Sequence, residues 1–154
     1  MTAFHILQGI ETLHLRMPRH VENTRKVVRF LAGHPMVESV GYPELESHPD
    51  HALAKRLLPR GAGAVFSFDM RGGRPAGRAF IENLRVFSHL ANVGDAKSLV
   101  IHPASTTHYR MSDDDLHKAG ITAGTVRLSI GLEEPGDLID DLERALRAAG
   151  KAGP

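Results

Sequence analysis

Two stretches of strict alternation constrain this chain more than anything else in it. Across 64–70, Ala64, Phe66, Phe68 and Met70 alternate with Val65, Ser67 and Asp69. Across 125–133, Val126, Leu128 and Ile130 alternate with Arg127, Ser129 and Gly131. Successive side chains of an extended chain point to opposite faces, so each stretch reads as a strand with one apolar face and one polar face. The apolar faces need a cover, and the segments between the strands are patterned to supply it.

Phe4–Met17 brings Ile6, Leu7, Ile10, Leu13 and Met17 onto one face of a helix at steps of three and four. Pro18 lacks a backbone donor and is expected to kink or end that helix. The pattern resumes with Val21, Thr24, Val27, Val28 and Leu31 until Gly33 and Pro35 stop it. Residues 1–32 therefore read as a long bent N-terminal helix. A helix beginning this abruptly suits either an internal piece of a longer chain or a natural N-terminus.

Met36–Tyr42 is short, β-branched and closed by Pro43, the mark of a strand entering a turn. Leu53, Leu57 and Leu58 make 51–58 a short helix ended by Pro59. Ala76, Phe80, Ile81 and Leu84 form a stripe after Pro75, which a first helical turn tolerates. Residues 87–97 are irregular, Leu99–Ile101 suits a strand covered on both faces, and Pro103 ends it. Ser112 before Asp113, Asp114 and Asp115 reads as a helix N-terminus, the acids complementing the dipole. Pro135 opens a last helix with Asp137, Asp140 and Asp141 early and Arg144, Arg147 and Lys151 late. Its inward face carries Leu138, Ile139, Leu142, Ala145 and Leu146, and a tail at 150–154 is expected to fray. The fold expected is α+β, a single sheet of about four strands covered by helices, with the share of antiparallel pairs left open.

At 154 residues the chain fits one domain. With 19 basic and 18 acidic side chains it has a formal net charge of +1, so no global field favours nucleic acid or an anionic membrane as partner. Cysteine is absent, which removes disulfides and thiolate chemistry and suits a reducing cytoplasm. No charged-and-apolar leader opens the chain, and its apolar runs fall far short of the roughly 20 residues of a bilayer span. A soluble, cytoplasmic protein is expected.

Ten histidines raise the question of a metal. His48 and His51 lie across Pro49 on a loop, His14 and His20 flank Pro18, and His102 and His108 bracket a strand end. None has the two-histidine helix face with a neighbouring acid that a zinc site needs, so no metal is expected. Ser105, Thr106 and Thr107 precede His108, but in an extended segment adjacent side chains diverge, leaving His108 badly placed to activate Thr107. Gly61, Gly63, Gly72 and Gly73 are turn glycines without phosphate-loop spacing. Arg127 is different. A guanidinium on the polar face of a strand, beside small neighbours, suits a planar two-oxygen anion such as a carboxylate, and an ion pair elsewhere in the fold would suit it equally.

Ser88–His108, SHLANVGDAKSLVIHPASTTH, and Thr125–Glu133, TVRLSIGLE, closely resemble the C-terminal domain of the Cys/Met-metabolism family of pyridoxal-phosphate enzymes. The wording around ANVGDAKSLVIHPASTTH looks like its O-acetylhomoserine sulfhydrylase branch. The likeness runs from about Phe4 to Ala149 and favours a piece of a longer chain. It implies a mostly antiparallel four-stranded sheet with helices on one face (36–149), joined through 1–32 to a larger cofactor domain in a homo-oligomer. It implies that Arg127 grips the α-carboxylate of an amino-acid substrate, O-acetyl-L-homoserine in that branch. It also places Asn92 where related cystathionine synthases and lyases carry a carboxylate-binding serine. Pyridoxal phosphate in this family is held by a lysine in a Ser-x-Thr-Lys context. None of the five lysines (Lys26, Lys55, Lys97, Lys118, Lys151) has that context, so no cofactor-binding or catalytic residue is expected in this chain, which alone is expected to be inactive. Two other readings are a free-standing binding or assembly module, and the same domain of a cystathionine synthase or γ-lyase.

Overall fold

The computed structural model describes residues 1–151, which form a five-stranded sheet in the order β1 (Val37–Gly41), β2 (Val65–Met70), β5 (Thr125–Ser129), β4 (Leu99–Ile101), β3 (Ser88–His89). Three of its four pairings are antiparallel, and only β3 with β4 is parallel. The alternation in β2 and β5 settles the register: Phe66 pairs with Leu128 and Phe68 with Val126, while Ser67 pairs with Arg127. A slip of one residue would turn every apolar side chain to the wrong face. The fifth strand, β3, lies inside the stretch expected to be irregular. Its two residues are too few to carry a period.

Helices α1 (Thr2–Glu11), α2 (Leu13–Ala32), α3 (His51–Leu57), α4 (Gly73–Asn83), α5 (Asp113–Lys118) and α6 (Pro135–Lys151) complete the chain. The apolar sheet face, with Phe66, Phe68, Val100, Val126 and Leu128, packs against Val27, Val28 and Leu31 of α2, Phe80 of α4, and Leu138, Leu142 and Leu146 of α6. Phe68 meets Phe80 edge-on, ring centroids 5.8 Å apart. Each fully buried Leu or Phe contributes about 1.5–3 kcal/mol, so this one layer supplies most of the drive to fold. The polar face of β2 and β5 meets the 3₁₀ turn Pro103–Ser105 and loops, while α2, α4 and α6 pack on the apolar face.

The N-terminal helix breaks at Thr12 rather than at Pro18, which lies inside α2. Pro18 removes one donor near the helix start, where both it and His14 are exposed. Farther along, α2 is tied to the chain beyond β5. His20 Nδ1 donates to the Ile130 carbonyl (2.6 Å), and Asn23 Nδ2 donates to the carbonyls of Gly131 (3.1 Å) and Glu133 (2.8 Å). By contrast α1 has no buried residue; Phe4, Ile6, Leu7 and Ile10 are all more than half exposed. Ser112 caps α5 as expected, its Oγ accepting from the Asp115 amide. Helix α6 continues through Lys151, taking in the first two residues of the expected tail; 152–154 lie outside the described residues. No helix among the described residues is long and apolar enough to cross a membrane.

Candidate functional site

Arg127 sits in the middle of β5 on the polar face, with Ser67 of β2 beside it on one side and Ile101 of β4 on the other. It forms part of the wall of an open cleft of about 470 Å³. Val65, Ser67, Ile101, Thr125 and Arg127 line the sheet side, and Pro103, Thr107, His108, Gly120 and Ile121 line the other. Arg127 is half-buried as a residue, and its guanidinium makes one long, exposed bond, Nη2 to the backbone carbonyl of Asn92 at 3.5 Å. Among the described residues no carboxylate pairs with it. The internal ion pair that the sequence left open is therefore not made, and most of its donors remain available to an anion.

The acid that could have quenched it is on the same face, at Asp69. That carboxylate is already occupied: Oδ1 accepts from Thr125 Oγ1 (2.5 Å) and Thr122 Oγ1 (2.8 Å), and Oδ2 from Ser39 Oγ (2.7 Å). Burial pushes the Asp69 carboxyl up, but the three hydroxyl donors outweigh it and hold the group below the usual aspartate range. Asp69 stays ionised and turned away from Arg127's role.

Asn92 meets Arg127 through its main chain, while its side-chain Oδ1 accepts from the Val93 amide (2.8 Å) and caps its own turn. The loop 90–97 that carries it is exposed apart from half-buried Asp95 and is held by its feet. At the near foot the Ser88 amide donates to the Ser98 carbonyl (2.9 Å). At the far foot Ser98 is fully buried: its amide donates to Glu133 Oε1 (2.7 Å), its Oγ donates to Glu133 Oε2 (2.9 Å), and that Oγ accepts from the Gly131 amide (2.8 Å). Gly131 has no room for a side chain, since a Cβ there would lie 2.4 Å from the Ala96 carbonyl oxygen. The sequence reading quoted both residues inside its two motifs but assigned neither Ser98 nor Glu133 a functional role.

The far wall of the cleft hangs on His102. Its Nε2 faces the Ala123 carbonyl (2.9 Å), which only accepts, so Nε2 carries the proton and Nδ1 accepts from Ser105 Oγ (2.8 Å). Burial lowers its pKa, so the neutral imidazole is the native form. Arg74 adds a donor to the Ala104 carbonyl. The segment that follows is a 3₁₀ turn at Pro103–Ser105 and further turns, not an extended chain. The expectation that Thr107 and His108 diverge is thereby overturned, because Thr107 Oγ1 and His108 Nδ1 lie 2.8 Å apart. No third group orients the other His108 nitrogen among the described residues, so the pair lacks the relay that activates a nucleophile.

Two further hollows carry less chemistry. One of about 250 Å³ surrounds Glu44, whose oxygens are taken by Arg25 Nε (2.6 Å), Tyr42 Oη (3.2 Å) and the Ala62 amide (2.8 Å). Another, of about 610 Å³, runs under Ile10, Leu13, Met17 and Val21 beside Arg60 and Gly61. Among the described residues no three His, Cys, Asp or Glu side chains gather as a metal site.

A helix-backed sheet thus carries, on its other face, an arginine without a carboxylate partner among the described residues, in the wall of an open cleft. The family follows from comparison: the chain belongs to the Cys/Met metabolism PLP-dependent enzyme family, whose profile matches residues 1–147. It is 51% identical over 146 residues to O-acetyl-L-homoserine sulfhydrylase of Leptospira meyeri, covering 94% of this chain and 33% of that protein. It is 45% identical to L-methionine gamma-lyase of Fusobacterium nucleatum subsp. polymorphum, covering 94% and 36%. Among solved structures it matches cystathionine gamma synthase of Xanthomonas oryzae pv. oryzae with a TM-score of 0.87 at 43% identity, over 95% of this chain and 38% of that one. It matches a Campylobacter jejuni structure, described as an O-acetylhomoserine (thiol)-lyase, with a TM-score of 0.85 at 45% identity, over 92% and 34%. That structure carries pyridoxyl phosphate on a lysine. The chain thus spans about a third of the length of these relatives.

Pyridoxal phosphate is the cofactor of this family, and the residues present here do not fit its attachment. Lys55, Lys97, Lys118 and Lys151 are exposed, and Lys26 pairs with Glu22 on the helix surface (2.8 Å). None of the five lines the Arg127 cleft.

Proposed function

We propose that this chain is the smaller, C-terminal domain of an O-acetyl-L-homoserine sulfhydrylase, and that Arg127 holds the α-carboxylate of the amino-acid substrate. The observation that carries the reading is a guanidinium in the wall of an open cleft, without a carboxylate partner among the described residues, on the sheet face opposite α2, α4 and α6. A planar fork of donors in a partly desolvated cleft binds a carboxylate through two parallel hydrogen bonds and fixes its orientation. The Asn92 segment borders the same group and contributes a second contact to the substrate. The parent exchanges the acetate of O-acetyl-L-homoserine for sulfide, giving L-homocysteine and acetate. The role of this domain is to orient the substrate, while residues outside this chain carry the cofactor. Residues 1–32, helices α1 and α2, join it to them, and the chain alone is inactive.

Support for the sulfhydrylase over its relatives is the 51% identity to the Leptospira meyeri enzyme together with the ANVGDAKSLVIHPASTTH wording; other relatives named as sulfhydrylases, at 44–46%, match about as well as the γ-lyase at 45%, so the activity itself has to be assayed. Product analysis of the full-length enzyme separates the three: homocysteine from sulfide, cystathionine from cysteine, or 2-oxobutyrate by elimination. In that enzyme Arg127→Ala should raise KM for the amino acid by about a hundredfold, the worth of a lost charge-assisted pair of roughly 3 kcal/mol. An unchanged KM removes the assigned role. A source reading frame without a Ser-x-Thr-Lys segment ahead of these residues removes the placement within the parent.

A further inference from the structure

The loop 90–97 reaches the Arg127 guanidinium with a single main-chain carbonyl, yet it buries no side chain of its own. Its other tie to β5 is one long bond, from the Gly94 amide to Ser129 Oγ (3.5 Å), so its height is set mainly from its feet. The post that sets it is Glu133. On one side its backbone carbonyl and that of Gly131 are clamped by Asn23, which is fully buried on α2, and the Ile130 carbonyl is held by buried His20. On the other side its carboxylate receives both the amide and the hydroxyl of Ser98, and the Leu132 amide donates to the Ala96 carbonyl (2.9 Å). Residues 130–133 are therefore a strap between a rigid helix and the foot of the loop. Only one element of the strap, the Glu133 side chain, has a length that substitution can change without disturbing the backbone.

We infer that Glu133 is a positioning residue for the carboxylate cleft: through Ser98 it sets where the Asn92 segment meets Arg127. The inference rests on the reading that Arg127 receives a carboxylate. Positioning contributes because an error of about 1 Å in a binding group well away from the ligand can cost up to about a hundredfold. Length, not charge, is what matters at position 133. Glutamine keeps the length: its carbonyl accepts from the Ser98 amide and its NH₂ donates to Ser98 Oγ, which retains a lone pair for the purpose. Aspartate keeps the charge but falls short by one methylene.

The test uses the 154-residue chain, isotope-labelled, with the Arg127 Nε–Hε resonance assigned by its loss in Arg127→Lys. O-acetyl-L-homoserine is titrated, with its methyl ester as a control lacking the carboxylate. The wild-type resonance should shift and saturate with the acid and not with the ester. Glu133→Gln should bind within about twofold of wild type, and Glu133→Asp should bind at least about tenfold more weakly. Urea unfolding of each variant is measured alongside, because a merely structural role would lower stability and leave the affinity of the folded chain unchanged. If wild type fails to saturate, the carboxylate reading falls and the inference with it. If wild type saturates and Glu133→Asp binds equally well, or Glu133→Gln binds as weakly as Asp, the inference alone is overturned.

Discussion

Gly77, in the middle of α4, lies against the His102 ring, and a single added methyl group there tests how the cleft wall is held. A Cβ at 77 would come within 2.5 Å of His102 Nε2 and 2.7 Å of Cδ2. The ring cannot step aside freely, since Nε2 is bonded to Ala123 and Nδ1 to Ser105 in a fully buried site. Overpacking of this kind costs about 1–3 kcal/mol. Displacing the ring leaves the Ala123 carbonyl without its donor, for about 1–3 kcal/mol more. Alanine returns about 1 kcal/mol through helix propensity. Gly77→Ala should therefore destabilise the chain by about 1–5 kcal/mol, centred near 3 kcal/mol, a fall of about 1–2 M in the urea midpoint. Gly136 in α6 is the control: nothing lies within 4 Å of a Cβ there, so Gly136→Ala should be neutral or stabilising by up to about 1 kcal/mol. A Gly77→Ala chain as stable as wild type would show that His102 is not fixed from both ends.

Lowering the pH should loosen the same wall. His102 has a folded-state pKa below its ordinary 6.5, so as pH falls past that value the unfolded chain takes up a proton that the native ring refuses. Stability should fall below about pH 6.5 and be insensitive to this group above it; equal urea midpoints at pH 7.5 and 5.5 would contradict that. Helix α1 exposes Phe4, Leu7 and Ile10, and the isolated chain should self-associate through it, with Leu7→Glu plus Ile10→Glu shifting sedimentation toward monomer. A wild-type monomer at high concentration would refute it.

What the sequence disclosed was whatever carried a period. Phe66 through Met70 and Val126 through Ile130 announce the faces of β2 and β5, though not that the two strands pair, and Arg127 is legible as the polar exception on its strand. What it hid was whatever depends on one long-range bond. Asp141 looks like another acid in the first half of a helix. In the fold it is buried, and its two oxygens accept the amides of Arg85, Val86 and Phe87, fixing the approach to β3. Its spacing from Leu138 and Ala145 does place it on the inward face, where Asp140 is not, but no spacing says which amides it meets. The break at Thr12 and the contact of Thr107 with His108 were missed because proline and extended-chain rules describe average segments, while here turns decide the geometry. The Glu133–Ser98 bond joins residues 35 positions apart, beyond the reach of any spacing rule.

The polar sheet face also shows why Arg127 is available, and how it could be silenced. Asp69 is two residues from Ser67 on the same face, but Ser39, Thr122 and Thr125 fill its oxygens. Ser67, directly across from Arg127, is the position where a carboxylate would not be so occupied. Side chains opposite one another on antiparallel strands have Cβ atoms about 4.5–5.5 Å apart, so Ser67→Asp would place its carboxylate within reach of the guanidinium. The pair would be partly exposed and worth at most about 1 kcal/mol, so the fold should barely notice. The ligand should notice more, because an incoming carboxylate has to displace the new partner and approach a like charge. We expect the affinity of the chain for O-acetyl-L-homoserine to fall by up to about fivefold in Ser67→Asp, the free energy of one such pair, and to stay near wild type in Ser67→Asn. High salt, which screens an exposed pair, should narrow the gap between the two variants. If Ser67→Asp binds the amino acid as well as Ser67→Asn does, the carboxylate is not being received at Arg127, and the cleft has some other purpose.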